Sequence, residues 1–229
     1  MRTGYAATGQ DERSGPCVMC AGADASVRSP LQRMLPPGRS RFIAQTPNLV
    51  AVPTFGCFVA GYVLIVPRAH VTSFGRLDEG ALAEPDELIE ALAHRIWAVY
   101  SRPALGFEYG NNVPGGRRIE HAHWHLLPSG ADLDGWLADR LTGHVIASLT
   151  DLPSRRDASY IAVRDQRGSL RVYPVPNQPR QRIRLRRLVA ELDPRVDAAG
   201  WDWTGNICPD LIHRTVTDLA PASPEDGTR

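Results

Sequence analysis

The run Val63-Leu64-Ile65-Val66 inside CFVAGYVLIVP is apolar at every position, so it has no face to give to water. A short β-branched segment of this kind is a strand, and a strand apolar on both sides belongs centrally in a sheet. The preceding run FIAQTPNLVAVP is also β-rich. Thr54-Phe55-Gly56 separates the two, which predicts adjacent strands meeting at a turn.

Residues 85–102 read as a helix, with Pro85 in the first turn, acids at Asp86 and Glu87, and Leu88, Leu92, Ile96 and Tyr100 repeating every four residues. Strands follow at 105–109 and 118–127, joined by the loop GNNVPGG. Strands, one crossing helix and further strands make an α+β domain over residues 15–130. The proline-broken segment 29–41 reads as a loop. Residues 131–218 form a C-terminal α/β extension. It holds a helix over 133–149, a hairpin of 160–163 with 170–173 turning at Arg167-Gly168, and a basic helix over 184–192. The small and polar ends, 1–14 and 219–229, read as disordered tails.

No apolar run approaches the roughly 20 residues that cross a bilayer, and MRTGYAATGQDERSG lacks the apolar centre of a signal peptide, so a cytoplasmic protein without membrane contact is expected. A net charge of +1 and a lack of aromatics among the basic residues weigh against nucleic acid. All 26 basic residues are arginine, which excludes lysine as Schiff base, phosphate-loop ligand or general base.

Chemistry concentrates in RRIEHAHWHLLP, where His121, His123 and His125 account for three of the seven histidines. At strand spacing, Ile119, His121, His123, His125 and Leu127 share one face while Ala122, Trp124 and Leu126 pack on the other. Such a row serves metal ligation, or a phosphorus nucleophile flanked by orienting groups. Cys17 and Cys20, as C-V-M-C, ask for metal or redox chemistry. Cys57 and Cys208 read as buried small residues, and His94, His144 and His213 as structural or surface residues.

HAHWHLL resembles the signature of the histidine triad (HIT) superfamily, His-x-His-x-His followed by apolar residues. GYVLIVPRAH is similar to that family's strand ending in Pro-x-x-His, and GNNVPGGRRIEH to its Asn- and Gly-rich loop. The resemblance covers residues 15–130 and implies a HIT-like fold, an antiparallel sheet with a crossing helix. It implies attack by the middle histidine, His123, on the α-phosphorus of a nucleotide, through a covalent nucleotidyl-imidazole. A backbone carbonyl would hold the other ring nitrogen of His123, and His125 would donate to the phosphate and leaving oxygen. Asn111, Asn112, Gly115, Gly116 and Arg117 would face the phosphate. Some members hold a structural zinc, and the matching set here is Cys17, Cys20, His70 and His121. No organic cofactor is implied, and a homodimer is.

Two positions depart from the family. Thr54 stands where many members have an Asp that binds the ribose hydroxyls, and Gly116-Arg117-Arg118 where they have Gly-Gln-Ser or Gly-Gln-Thr. Arg117 suits a more anionic substrate. The arginine run over 180–187 is either a solvated helix face or an anion-binding rim, and Trp201 and Trp203 anchor the extension. Beside the nucleotidyl hydrolase or transferase stand two other readings: a nucleotide-binding module without turnover, and a metal-dependent hydrolase with the histidine row as its metal centre.

Overall fold

The computed structural model describes residues 17–82, 84–110, 121–154, 159–176 and 183–220. Numbered in chain order, its strands are β1 (Ala44–Gln45), β2 (Leu49–Pro53), β3 (Val63–Pro67), β4 (Ala104–Gly110), β5 (Trp124–Pro128), β6 (His144–Ile146), β7 (Ser159–Arg164) and β8 (Leu170–Val175). The helices are α1 (Val18–Ala23), α2 (Pro30–Met34), α3 (Glu84–Tyr100), α4 (Leu133–Ala138), α5 (Leu185–Leu192) and α6 (Pro209–Leu219). The strands form one sheet in the order β1-β2-β3-β5-β4-β7-β8-β6, with each pair antiparallel. The expected α+β class with an antiparallel sheet is what the chain adopts.

β3 lies between β2 and β5 and is buried along its whole length, as its unbroken apolar run requires. Its two faces feed two cores. Val63 and Ile65 join Trp124, Leu126 and the Leu88, Ile89, Leu92 and Ile96 stripe of α3. Leu64 and Val66 join Phe107 and Leu127 under Leu133 of α4, Leu185 and Val189 of α5, and Ile212 and Val216 of α6. Each fully buried Leu or Ile contributes about 1.5–3 kcal/mol to this three-layer arrangement. Trp124 is wholly buried and depends on a glycine of the neighbouring strand β4: a Cβ on Gly106 would stand 2.7 Å from the indole nitrogen.

Several boundaries differ from the sequence reading. The last strand before residue 130 starts at Trp124, not at 118. The helix expected over 133–149 stops at Ala138, because the chain turns into β6, the sheet's outer edge strand beside β8. The segment 29–41 is not wholly loop: Ser29 accepts from the Gln32 N–H and caps α2, with Pro30 in its first turn. α3 ends two residues early, where Ser101 turns to a left-handed φ of 51° and its N–H bonds back to Trp97. The hairpin turns at Gly168 as expected, with φ of 87°. α6 runs to a buried Leu219, one residue into the expected tail. β7 bonds directly to β4, so the sheet continues from the triad region into the extension without a break.

Among the described residues no helix is long and apolar enough to cross a membrane.

Candidate active site and metal-binding cluster

The cysteine pair sits at the start of α1, and its one-turn spacing puts both sulfurs on the same side. Cys17 Sγ and Cys20 Sγ each lie 3.5 Å from His121 Nδ1, and Cys20 Sγ lies 3.3 Å from His70 Nδ1. These four ligand atoms fall within 4.8 Å of one another and could hold a metal ion. The four arrive from three places in the chain, and backbone bonds keep them together. The Ala122 N–H donates to the Val71 carbonyl at 2.6 Å, tying the segment after His70 to the triad. Arg41 and Arg68, two arginines that the sequence reading passed over, donate to the carbonyls of Gly22 and Ala23 at 2.9 and 3.0 Å and pin the end of α1 to the sheet.

His121 Nε2–H donates to the Pro67 carbonyl at 2.8 Å, which fixes Nδ1 as its lone-pair nitrogen toward the sulfurs. An imidazole held this way by a carbonyl is the usual support of a metal ligand. The sulfurs differ from each other. Burial raises both thiols, but the contact with the His121 ring and hydrogen bonds from the Cys20 and Met19 amides outweigh it at Cys17, which comes down to about 6. At Cys20 burial and the neighbouring sulfur act together and push the thiol up to about 11.

His123 and His125 stand apart from this cluster. His123 Nδ1–H donates to the His121 carbonyl at 2.8 Å, so its lone pair is on Nε2. The backbone carbonyl expected to orient the middle histidine is therefore that of the first histidine. His125 lies in β5 between Leu64 and Phe107 in register, its ring stacked on Phe107 at 4.6 Å and 4.9 Å from the His123 ring. Its Nδ1 is 2.7 Å from the hydroxyl of Tyr62. Burial first, then the charges of His123 and Arg186, hold the His125 imidazole well below 6.5, so it is neutral at pH 7.

The expected packing face holds, with Ala122, Trp124 and Leu126 buried away from the row. Leu127, expected on the histidine face, is itself fully buried under the extension, so that face is a second core and not an open surface. The expected phosphate contacts Asn111, Asn112, Gly115, Gly116 and Arg117, and with them Arg118, lie outside the described residues.

Other residues meet their expectation only in part. Cys57 is buried, whereas Cys208 is only half-buried, at the N-terminal end of α6 with a left-handed φ of 56°. His94 pairs with Glu90 at 3.3 Å, and His213 meets the Met34 carbonyl at 2.5 Å; neither is without a partner. The arginine run divides: Arg187 is exposed and bonded to Glu191 at 2.7 Å, Arg184 lies over the Trp201 ring, and Arg186 turns inward. Its Nη1–H donates to Thr54 Oγ1 at 3.0 Å, its Nη2–H to the Gly56 carbonyl and its Nε–H to the Trp201 carbonyl at 3.3 Å. Trp201 thus helps to anchor the extension, while Trp203 stays 37% exposed.

Tyr62, Phe107 and Arg186 went unremarked as site residues. Tyr62 shares strand parity with Leu64 and Val66 and was legible as the apolar start of a strand. Only the register between β3, β5 and β4 shows that it meets His125.

Residues 38–131 match the family model of the HIT domain, which bears out the resemblance carried by HAHWHLL and GYVLIVPRAH. Among solved structures, this chain is similar to a hypothetical histidine triad nucleotide-binding protein from Sulfolobus tokodaii, at 22% identity over 49% of this chain and 68% of that one, with a TM-score of 0.36. It is also similar to a HIT family hydrolase from Clostridium thermocellum, at 22% identity over 51% of this chain and 92% of that one, with a TM-score of 0.32. No curated protein matches it.

Proposed function

From the premise of a HIT domain over residues 38–131, we propose that the protein hydrolyses or transfers a nucleoside monophosphate group through a covalent bond to His123. The observation that carries this reading is the 2.8 Å bond from His123 Nδ1–H to the His121 carbonyl, which commits Nε2 to the lone pair that a nucleophile needs. That lone pair forms a bond to the α-phosphorus as the bond to the leaving oxygen breaks, and the electron pair departs on that oxygen. The His125 imidazole, one ring away, stabilises the departing anion by a hydrogen bond. A water or another hydroxyl then attacks phosphorus, its proton passes to solvent, and the phosphorus–nitrogen electron pair returns to His123. The nucleotide contacts fall to Asn111, Asn112, Gly115, Gly116 and Arg117, whose backbone amides and side chains suit phosphate oxygens.

We assign the Cys17, Cys20, His70 and His121 cluster to structural zinc. Zinc bonds of about 2.3 Å to sulfur and 2.0–2.1 Å to nitrogen in a tetrahedron separate neighbouring ligand atoms by about 3.3–3.8 Å, and the three sulfur–nitrogen separations of 3.3–3.5 Å fit, with all four ligand atoms within 4.8 Å of one another. Four protein ligands leave no position for substrate, so the ion would supply rigidity to the triad strand and no chemistry at phosphorus. Thiol ligands suit a reducing compartment, in keeping with a cytoplasmic protein. A homodimer through α3 finds support in Trp97, 57% exposed near the end of that helix.

The geometry favours this reading over a catalytic metal in the histidine row, since His121 turns its Nδ1 to the cysteine sulfurs and its Nε2–H to the Pro67 carbonyl, and the Tyr62 phenol takes up Nδ1 of His125. His123→Ala separates the readings. Assayed on nucleoside diphosphates, dinucleotides and phosphoramidates, the variant is expected to lose at least about 10³-fold in turnover while its zinc content and thermal stability stay unchanged. Loss of zinc together with activity would favour the catalytic metal centre. Tight binding of nucleotide by a wild type that never turns it over would favour the non-catalytic module.

A further inference from the structure

Tyr62 is wholly buried, so its hydroxyl cannot turn to water, and among the described residues its partner is His125 Nδ1 at 2.7 Å. The bond has two possible directions, and they are not equal. If His125 donated from Nδ1, the phenol O–H would be left without an acceptor among the described residues, at a cost of about 1–3 kcal/mol in a dry environment. If the phenol donates, its one proton is used and Nδ1 accepts. The neutral imidazole then carries its own proton on Nε2.

The surroundings select the same state. Burial pushes the Tyr62 phenol up, so it remains a donor through the physiological range. The guanidinium of Arg186 lies 5.1 Å from the centre of the Tyr62 ring and opposes a second positive charge on His125. Arg186 is held there by Thr54, Gly56 and Trp201, and the Phe58 ring packs on Tyr62 with centroids 5.0 Å apart. On the other side, Phe107 stacks on His125 with only 15° between the planes. The phenol and the imidazole therefore have one fixed relation.

We propose that Tyr62 is a positioning residue that holds His125 as its Nε2–H tautomer, so that the two adjacent imidazoles present opposite functions, a lone pair on His123 and a hydrogen-bond donor on His125. The carbonyl of His121 sets the first tautomer and the phenol of Tyr62 sets the second. Arg186, which lies in the extension and outside the matched HIT domain, keeps the phenol in place. A neutral His125 stabilises a departing anion without delivering a full proton, so the arrangement suits anhydride leaving groups better than amines. This last consequence rests on the function proposed above; the tautomer assignment does not.

The test is long-range proton–nitrogen NMR on histidine-labelled wild type and Tyr62→Phe, with His123→Ala to assign the two rings, beside turnover of substrates graded in leaving-group basicity. Wild-type His125 is expected as Nε2–H and His123 as Nδ1–H. Tyr62→Phe conserves the ring and the packing, and should leave the His123 pattern unchanged while His125 no longer shows a single tautomer. Its kcat should fall roughly tenfold for the most basic leaving group and less than about twofold for an activated aryl leaving group, with little change in KM. A wild-type His125 protonated at Nδ1 would overturn the proposal, as would an equal loss across all leaving groups. A wild type inert towards every substrate would count against the proposed function, and the tautomer pattern would then decide this proposal by itself.

Discussion

Which nitrogen carries the proton decides what each triad histidine can do, and three different acceptors or donors settle it: the Pro67 carbonyl for His121, the His121 carbonyl for His123 and the Tyr62 phenol for His125. One residue, His121, belongs to both groups, with its ring on the sulfurs and its carbonyl on His123. At this scale the sequence was most readable. The alternation in HAHWHLL placed Trp124 and Leu126 on a packing face, and Cys17, Cys20, His70 and His121 do gather. Tyr62 was unreadable because its role depends on which residue of another strand it faces. Cys20 is the ligand atom close to both imidazoles, so Cys20→Ser should reduce zinc content at least about tenfold and lower Tm. Metal analysis by mass spectrometry and a thermal melt check this; unchanged zinc stoichiometry would remove the cysteine from the ligand set.

Between elements, the extension is joined to the triad layer by buried polar contacts as well as apolar packing. Asp193, just past α5, accepts from Arg102 at 2.6 Å, from Ser129 Oγ at 2.8 Å and from the amides of Gly130 and Arg195. It links the end of α3, the turn after β5 and the end of α5. Burial raises its carboxyl, but these bonds, from Ser129 first, outweigh burial and hold it below 3.8. A carboxylate depressed in the folded state stabilises the fold above its unfolded value and loses that contribution as pH falls through its folded value. Asp193→Asn should cost about 1–3 kcal/mol at pH 7, and the gap to wild type should narrow below about pH 4. Denaturant melts at both pH values check the sign; a gap that widened in acid would contradict it. The sequence showed α3, β3 and the hairpin through periodicity and turn residues. It missed the end of α4 and the existence of β6, because a three-residue edge strand is fixed by its pairing with β8 and not by any local pattern.

For the whole molecule, one sheet carries two kinds of work. One face packs on α3 and is a plain core, while the other holds His125 beneath the helices of the extension and offers Arg186 to the triad's surroundings. The HIT resemblance over residues 15–130 is readable from motifs alone, whereas the way the extension covers the histidine face depends on contacts between residues more than 100 positions apart, which no motif records. On the proposed function, His123 becomes covalently bound to a nucleotide. The most direct measurement is intact-protein mass spectrometry after brief mixing with nucleoside diphosphates, dinucleotides and phosphoramidates, on wild type and His123→Gly. An acid-labile adduct of nucleotide mass on the wild type alone is the predicted result. The same adduct on His123→Gly, or product formed by that variant at the wild-type rate, would contradict it.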